Sequence, residues 1–237
     1  MKQSIFDKVS SEWWDKEGPM KMLHSMHETR MLFIKERILN KYQELGNLKN
    51  IFKKKKILDL GCGGGILSES LAEEGADLIA IDQSKKLINE AKKRAKLKNF
   101  KINYQCKSIK NLKEKKMKFD IIICLEVIEH VEDYKNFLKF TFECLKKNGI
   151  IIFSTINRNC LSYISTIFLA EKVLKLVPNK THDWNMYIKP EEILKLSIQK
   201  NFKLDKIKGL LAMPTLKGFK WIRTNNIKIN YIISIIN

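Results

Sequence analysis

An α/β fold, with helices on both faces of a mostly parallel sheet, follows from three observations on this sequence. Short apolar runs alternate with segments of helical period through the middle of the chain. A glycine-rich turn stands where the first run gives way to a helix, and an aspartate closes the second run. Strand–helix alternation of this kind signals βαβ units, whose right-handed crossovers restrict the order of the strands.

The chain divides into an N-terminal helical extension, residues 1–50, and a main domain, residues 51–237. In the extension, Met31, Ile34, Ile38 and Leu45 recur at helical spacing, which predicts an amphipathic helix over about residues 27–45. Ahead of it lie Trp13, Trp14 and Met20, too aromatic a stretch for a linker. It reads either as a lid over a site or as core packing. In the main domain, residues 57–60, 78–81, 102–105, 119–125 and 150–154 read as strands, and 66–74, 85–98 and 134–145 as helices. Beyond Thr155 come an apolar helical stretch over 162–176, a helix opening after Pro190, and strands near 202–207 and 227–236. The last strand closes the sheet edge, for seven strands in all.

Composition narrows the class. Hydrophobic residues at 44% and charged residues at 30%, mixed along the chain, describe a folded domain rather than a disordered one. The five cysteines are odd in number and widely spaced, which excludes a disulfide framework or a Cys-x-x-Cys zinc site and points to a reducing compartment. The first residues carry charge without an apolar core, so no secretory leader is expected, and no apolar run approaches the ~20 residues that span a bilayer. The formal net charge of +19 favours polyanions or anionic lipid, or reflects a lysine-rich composition. The basic residues do not gather with aromatics into a stripe, so no nucleic-acid partner is expected.

The chemistry concentrates in Asp59-Leu60-Gly61-Cys62-Gly63-Gly64-Gly65, at the end of the first strand. Glycines there allow positive φ and close approach of a ligand to backbone, and the helix beyond presents free N–H groups. Asp82, after the second strand, occupies the place where a carboxylate takes ribose hydroxyls. The dinucleotide pattern Gly-x-Gly-x-x-Gly fails in both registers, meeting Ile66 in one and Ser68 in the other.

The spacing Asp-x-Gly-x-Gly-x-Gly instead resembles motif I of class I S-adenosylmethionine methyltransferases, which have a Rossmann-like fold. Strand 119–125 with Glu126, and Leu145-Lys146-Lys147-Asn148-Gly149, resemble two further motifs of that class, with Asn148 where Pro or Gly is usual. Segments spread over nearly the whole chain then resemble the ubiquinone-biosynthesis O-methyltransferases: Trp13-Trp14-Asp15, Leu23-His24, Glu126-Val127-Ile128-Glu129-His130-Val131, Ser154-Thr155-Ile156-Asn157-Arg158-Asn159 and Thr181-His182-Asp183. The resemblance implies cofactor contacts at Arg30, Gly61, Asp82 and Leu125, and motif I adds Asp59, Gly63 and Gly65. Arg30 would pair with the methionine carboxylate as a charged fork, and Leu125 would wall the cofactor.

Glu126-x-x-Glu129-His130 follows the fourth strand, close to where the methyl group is presented, and three readings are open. The three side chains hold a divalent cation, Mg²⁺ in the reading that eukaryotic members of the family suggest, and so acidify a bound hydroxyl. Alternatively His130 acts directly as general base, beside Glu129. The third reading is a helix N-terminus with acidic residues. His182 and Asp183 are reserve candidates for orienting the acceptor, or plain capping residues.

The expected function is methyl transfer from S-adenosylmethionine to a phenol or catechol hydroxyl of a polyprenylated ubiquinone precursor. The alternatives are methylation of another small molecule or RNA, and a non-catalytic adaptor that keeps the cofactor fold. The apolar stretch 162–176, followed by lysines, either dips into lipid headgroups or is buried. Expected partners are the polyprenyl phenol or quinol, membrane lipid contacted peripherally, and other ubiquinone-biosynthesis enzymes. The expected location is cytoplasmic, on the face of the inner membrane.

Overall fold

In a computed structural model, residues 3–42, 51–167, 181, 183–216 and 218–237 are those described. The extension forms α1 (Gln3–Lys8), a 3-10 turn (Ser10–Glu12) and α2 (Lys21–Tyr42). Then β1 (Ile57–Leu60), α3 (Ile66–Glu73), β2 (Leu78–Asp82), α4 (Lys85–Leu97), β3 (Asn103–Cys106), α5 (Ile109–Glu114), β4 (Phe119–Leu125), α6 (Tyr134–Glu143) and β5 (Leu145–Ile156) alternate. A short α7 (Cys160–Ser162), α8 (Pro190–Ile198), β6 (Lys203–Thr215), β7 (Gly218–Thr224) and β8 (Asn230–Ile236) complete the order.

The strands form one sheet in the order β3-β2-β1-β4-β5-β8-β6-β7. The β1–β2, β1–β4, β2–β3 and β4–β5 pairs are parallel, while β8 runs antiparallel between β5 and β6. Chain order reverses on either side of β1, so the crevice above the carboxyl ends of β1 and β4 is the switch point where such folds bind ligands.

The central strands read as unbroken apolar runs because both faces are covered. Alternate residues serve opposite cores. Ile57, Ile121, Ile123, Ile150 and Ile152 pack with Phe33, Ile34 and Ile38 of α2 and Leu71 of α3. Leu58, Ile122, Ile151 and Phe153 pack with Leu138 and Phe142 of α6 and Ile193 of α8. α2 therefore shares the core of the main domain, and it begins at Lys21 rather than near His27.

The sheet has one strand more than the seven expected. β6 runs on to Thr215 and turns back into β7, with Ala212 opposite Trp221 and Pro214 opposite Phe219. The cue for that hairpin lay in Pro214 and Gly218, which flank a turn between alternating residues. Helix α5 also falls outside the sequence reading, being short and mostly polar. Asn148, the departure from the usual Pro or Gly, takes φ 65°, a conformation that Asn tolerates better than most residues. Of the apolar stretch 162–176, residues 168–176 lie outside those described; Tyr163 and Ile164 are exposed. No described helix is long and apolar enough to cross a membrane.

The two-faced core makes a simple contrast. Ile122→Ala, at a fully buried position of β4, should cost about 2–5 kcal/mol in chemical denaturation. Leu97→Ala, at the exposed end of α4, should stay within about 0.5 kcal/mol. Similar losses at both positions would contradict the placement of β4.

Candidate active site

The glycine turn is built as a cradle. Gly61 (φ 77°) and Gly63 (φ 53°) hold backbone conformations that residues with a Cβ rarely adopt. A Cβ would fall 2.4 Å from Val127 Cγ2 at Gly61 and 2.4 Å from the Trp13 ring at Gly63. Gly61 N–H and Cys62 N–H donate to the Ile81 carbonyl at 2.8 and 3.0 Å, tying the turn to the end of β2. Asp82 accepts there from Gly63 N–H at 3.0 Å and Ser84 N–H at 2.8 Å. Burial pushes its carboxyl above the usual range while those N–H groups oppose the rise, and the side chain stays on the cavity wall.

Asp59 does something else. It is 2% exposed, lies off the cavity wall, and accepts from the Ser68 hydroxyl, which fastens the first turn of α3 beneath the cradle. Burial pushes its carboxyl up to about 7, opposed by the Ser68 bond. Gly65 also lies off the wall; it caps α3 without a side chain.

The extension closes over the cradle. Trp14 Nε1 donates to the Gly64 carbonyl at 3.0 Å, and the Trp13 ring lies on Gly63 and Gly64. His24 Nε2 donates to the Trp13 carbonyl at 2.9 Å, and Asp7 accepts from the Ser84 hydroxyl. Trp13 and Met20 are buried with Leu87 of α4 in a small cluster of their own. Trp13 therefore packs on the cradle and is itself buried there.

At the end of β4, Glu126 takes a positive φ of 55°, and its N–H donates to the Ser154 carbonyl at 2.9 Å. Its carboxylate accepts from the Ser154 hydroxyl at 2.6 Å and faces Arg30 Nη1 at 3.8 Å. Glu129 and His130 sit in a 3-10 turn (Ile128–His130), both buried. Glu129 accepts from the Thr155 hydroxyl at 2.7 Å. Burial, and then the nearby charge of Glu126, push its carboxyl up to about 8. The His130 ring meets the Phe6 ring edge-on, with centroids 5.1 Å apart.

Gly61, Gly63, Asp82, Leu125, Glu126, Glu129 and His130 line one cavity of about 390 Å³, so the structure brings seven of the expected site residues together. Arg30 is 4% exposed and lies behind the wall, where Nη2 donates to the Leu23 carbonyl while Nε and Nη1 have no hydrogen-bond partner among the described residues. Its electrostatic reach into the cavity runs through Glu126. Among the described residues, no group of three or more His, Cys, Asp or Glu is arranged to hold a metal ion. The expected Glu126, Glu129 and His130 triad is not among such groups in this arrangement, in which Ser154 and Thr155 each hold one of the two carboxylates. His182 lies outside the described residues; Asp183 caps the turn Trp184–Met186 by accepting from Asn185 N–H at 3.1 Å.

The cavity continues past Met22 and Met26 to Leu211, Ala212, Phe219 and Trp221 of the hairpin and to Asn230 of β8. None of these was singled out from sequence, because a strand far along the chain reaches the site only through the antiparallel insertion of β8.

The residues of the cradle fit a sulfonium nucleoside. The turn puts Gly61 and Gly63 on the cavity wall, and Asp82 offers a carboxylate beside them. A family model described as a methyltransferase domain matches residues 6–206. The ubiquinone biosynthesis O-methyltransferase of Pelagibacter ubique is 41% identical over 96% of this chain and 93% of its own length. Those of Rickettsia typhi and Coxiella burnetii are 38% and 37% identical, over 95% and 96% of this chain and 88% and 91% of theirs. Among solved structures, magnesium protoporphyrin IX methyltransferase from Synechocystis with bound S-adenosylhomocysteine superposes with TM-score 0.64 at 17% identity, over 99% of this chain and 94% of that one. An S-adenosylmethionine-dependent methyltransferase from Clostridium acetobutylicum gives TM-score 0.64 at 18% identity, over 98% and 99%. Cradle, switch-point cavity and relatives converge: the chain belongs to the ubiquinone biosynthesis O-methyltransferase family, enzymes built on the S-adenosylmethionine-dependent methyltransferase fold.

Proposed function

We propose that this chain transfers the methyl group of S-adenosylmethionine to a phenol or catechol hydroxyl of a polyprenylated ubiquinone precursor. One observation carries the reading: a single cavity joins the glycine cradle, the buried Glu129 and His130, and an apolar far end. When bound, S-adenosylmethionine supplies an electrophilic methyl on sulfur. Asp82 and the backbone of Gly61 and Gly63 hold the nucleoside, Leu125 walls the sulfonium region, and Arg30 balances the carboxylate of Glu126 behind it.

The chain's further task is to orient the acceptor hydroxyl and take its proton. His130 is the group for that, an imidazole on the cavity wall steadied by Phe6. Glu129, protonated near neutral pH, positions the acceptor as a hydrogen-bond donor. Mg²⁺ carries no step of this reading, in which Glu126 faces Arg30 and Glu129 holds a proton. Residues 1–50 act as the lid, with Trp13 and Trp14 seated on the cradle. We place the enzyme in the cytoplasm, meeting its polyprenyl phenol or quinol at the surface of the inner membrane, close to other ubiquinone-biosynthesis enzymes and apart from nucleic acid.

The direct test is S-adenosylhomocysteine release and product mass with a short-chain demethylated quinol. Cofactor binding by calorimetry without any product would discard the acceptor. In the same assay, His130→Ala should lower kcat about 10²–10⁴-fold while cofactor affinity changes little. Chelator should leave turnover intact; loss that Mg²⁺ restores would reinstate Glu126, Glu129 and His130 as a metal site.

Glu129 also predicts a stability profile. Its folded value of about 8 exceeds the ordinary 4.5, so between them the folded state holds the extra proton. The stability tied to that proton is complete below the ordinary value and disappears as pH rises through about 8. Glu129→Gln stays neutral throughout, so its melting temperature should gain on the unaltered protein from about pH 5 to about pH 9. A constant offset across that range would refute the buried, protonated carboxyl.

A further inference from the structure

The cavity's far end asks for a ligand part with no polar groups. Its wall there includes the Ala212–Trp221 pair and Phe219 of the hairpin, together with Met22 and Met26 of α2. The indole N–H of Trp221 donates to the Ser25 hydroxyl at 2.9 Å, and the Trp221 carbonyl accepts from the Thr29 hydroxyl at 2.9 Å. The ring therefore turns its polar atom toward α2 and offers carbon to the cavity. These bonds also hold β7 against the extension, so the hairpin is a fixed wall.

Beyond that wall the hairpin exposes further apolar side chains. Leu211, Met213 and Ile222 are exposed along the hairpin, and Leu216 at its turn is fully exposed. Charge also stands on this edge, Lys220 opposite Met213 and Arg223 opposite Leu210, so the exposed apolar side chains are chiefly Leu211 and Ile222, paired across the hairpin, and Leu216 at its tip. Size gives the direction. A cavity of about 390 Å³ lies near the lower end of sites that hold one small ligand, about 300–1,000 Å³. Cofactor and aromatic ring both have to sit in that volume, so a long hydrocarbon tail has to leave it.

We infer that the β6–β7 hairpin is the tail-binding element: an isoprenoid chain on the acceptor passes between Ala212, Phe219 and Trp221 and Met22 and Met26, and leaves over Leu216. The inference rests on the acceptor class proposed above. It makes the hairpin a selector of chain length, because each buried methylene adds to affinity where the channel exists and adds nothing where it is blocked.

Two measurements test it. Ala212→Phe, which fills the channel, and Leu216→Asp, at a position free of packing, should each raise the ratio of long-chain to short-chain KM by about tenfold or more. The second variant covers the case in which the first fails to fold. Parallel changes for both acceptors, or none, would overturn the inference. Independently of turnover, a diazirine-bearing prenyl phenol should label residues 210–222, with protection by the long-chain acceptor. Labelling elsewhere, or equal labelling of the hairpin by a diazirine fatty acid, would overturn it by assigning the surface to no ligand or to lipid in general. If the unaltered protein methylates neither acceptor while the label maps to the hairpin, the methyl-transfer reading fails and the tail site stands.

Discussion

The parallel pairing of β4 with β5 is the constraint on which the site depends. Its register sets Leu125 opposite Ser154, and the next residue, Glu126, leaves the strand with its N–H still bonded to Ser154. The hydroxyls of Ser154 and Thr155 then each receive one of the two carboxylates that follow β4. Without those donors, two acidic side chains and an imidazole would crowd one buried turn with nothing to separate them. A buried charge without a partner is costly, and Arg30 supplies the counter-charge on Glu126 while Glu129 answers by holding its proton.

The N-terminal segment is bound into this scheme from the other side. Trp13 and Trp14 use the open face of the glycine turn, so the absence of side chains in the turn serves the lid as well as the ligand. The same segment brings Phe6 to His130 and Asp7 to Ser84, next to Asp82. The Asp82 end and the His130 end of the cavity are thereby covered by one short piece of chain. Its ordering and the filling of the cavity are linked, since Trp13 belongs both to a buried cluster and to the cavity wall.

At the opposite end the sheet departs from the plain alternation of its first half. β8 enters antiparallel beside β5, and it carries β6 and β7 to the mouth of the cavity. A site assembled from the ends of β1, β2 and β4 thus acquires an apolar wall from residues near the chain's end. The division suits a ligand with one reactive polar end and one hydrocarbon end.

The sequence by itself determined the strand–helix alternation, the glycine turn and Asp82. Parallel strands buried on both faces read as apolar runs, and a turn that combines positive φ with no space for a Cβ, as at Gly61 and Gly63, must be glycine, so both leave marks in composition. Glu126, Glu129 and His130 were also visible as a group, yet their division between Ser154 and Thr155 was not, because strand register is a property of two distant segments. Asp59 and Arg30 were legible as residue types but not as positions: one fastens α3 beneath the turn, the other stands behind Glu126. The β6–β7 hairpin left a local cue in Pro214 and Gly218, but that Ala212, Phe219 and Trp221 wall the cavity belongs wholly to the tertiary structure. No local pattern records that β8 inserts between β5 and β6, and only that insertion brings the hairpin to the site.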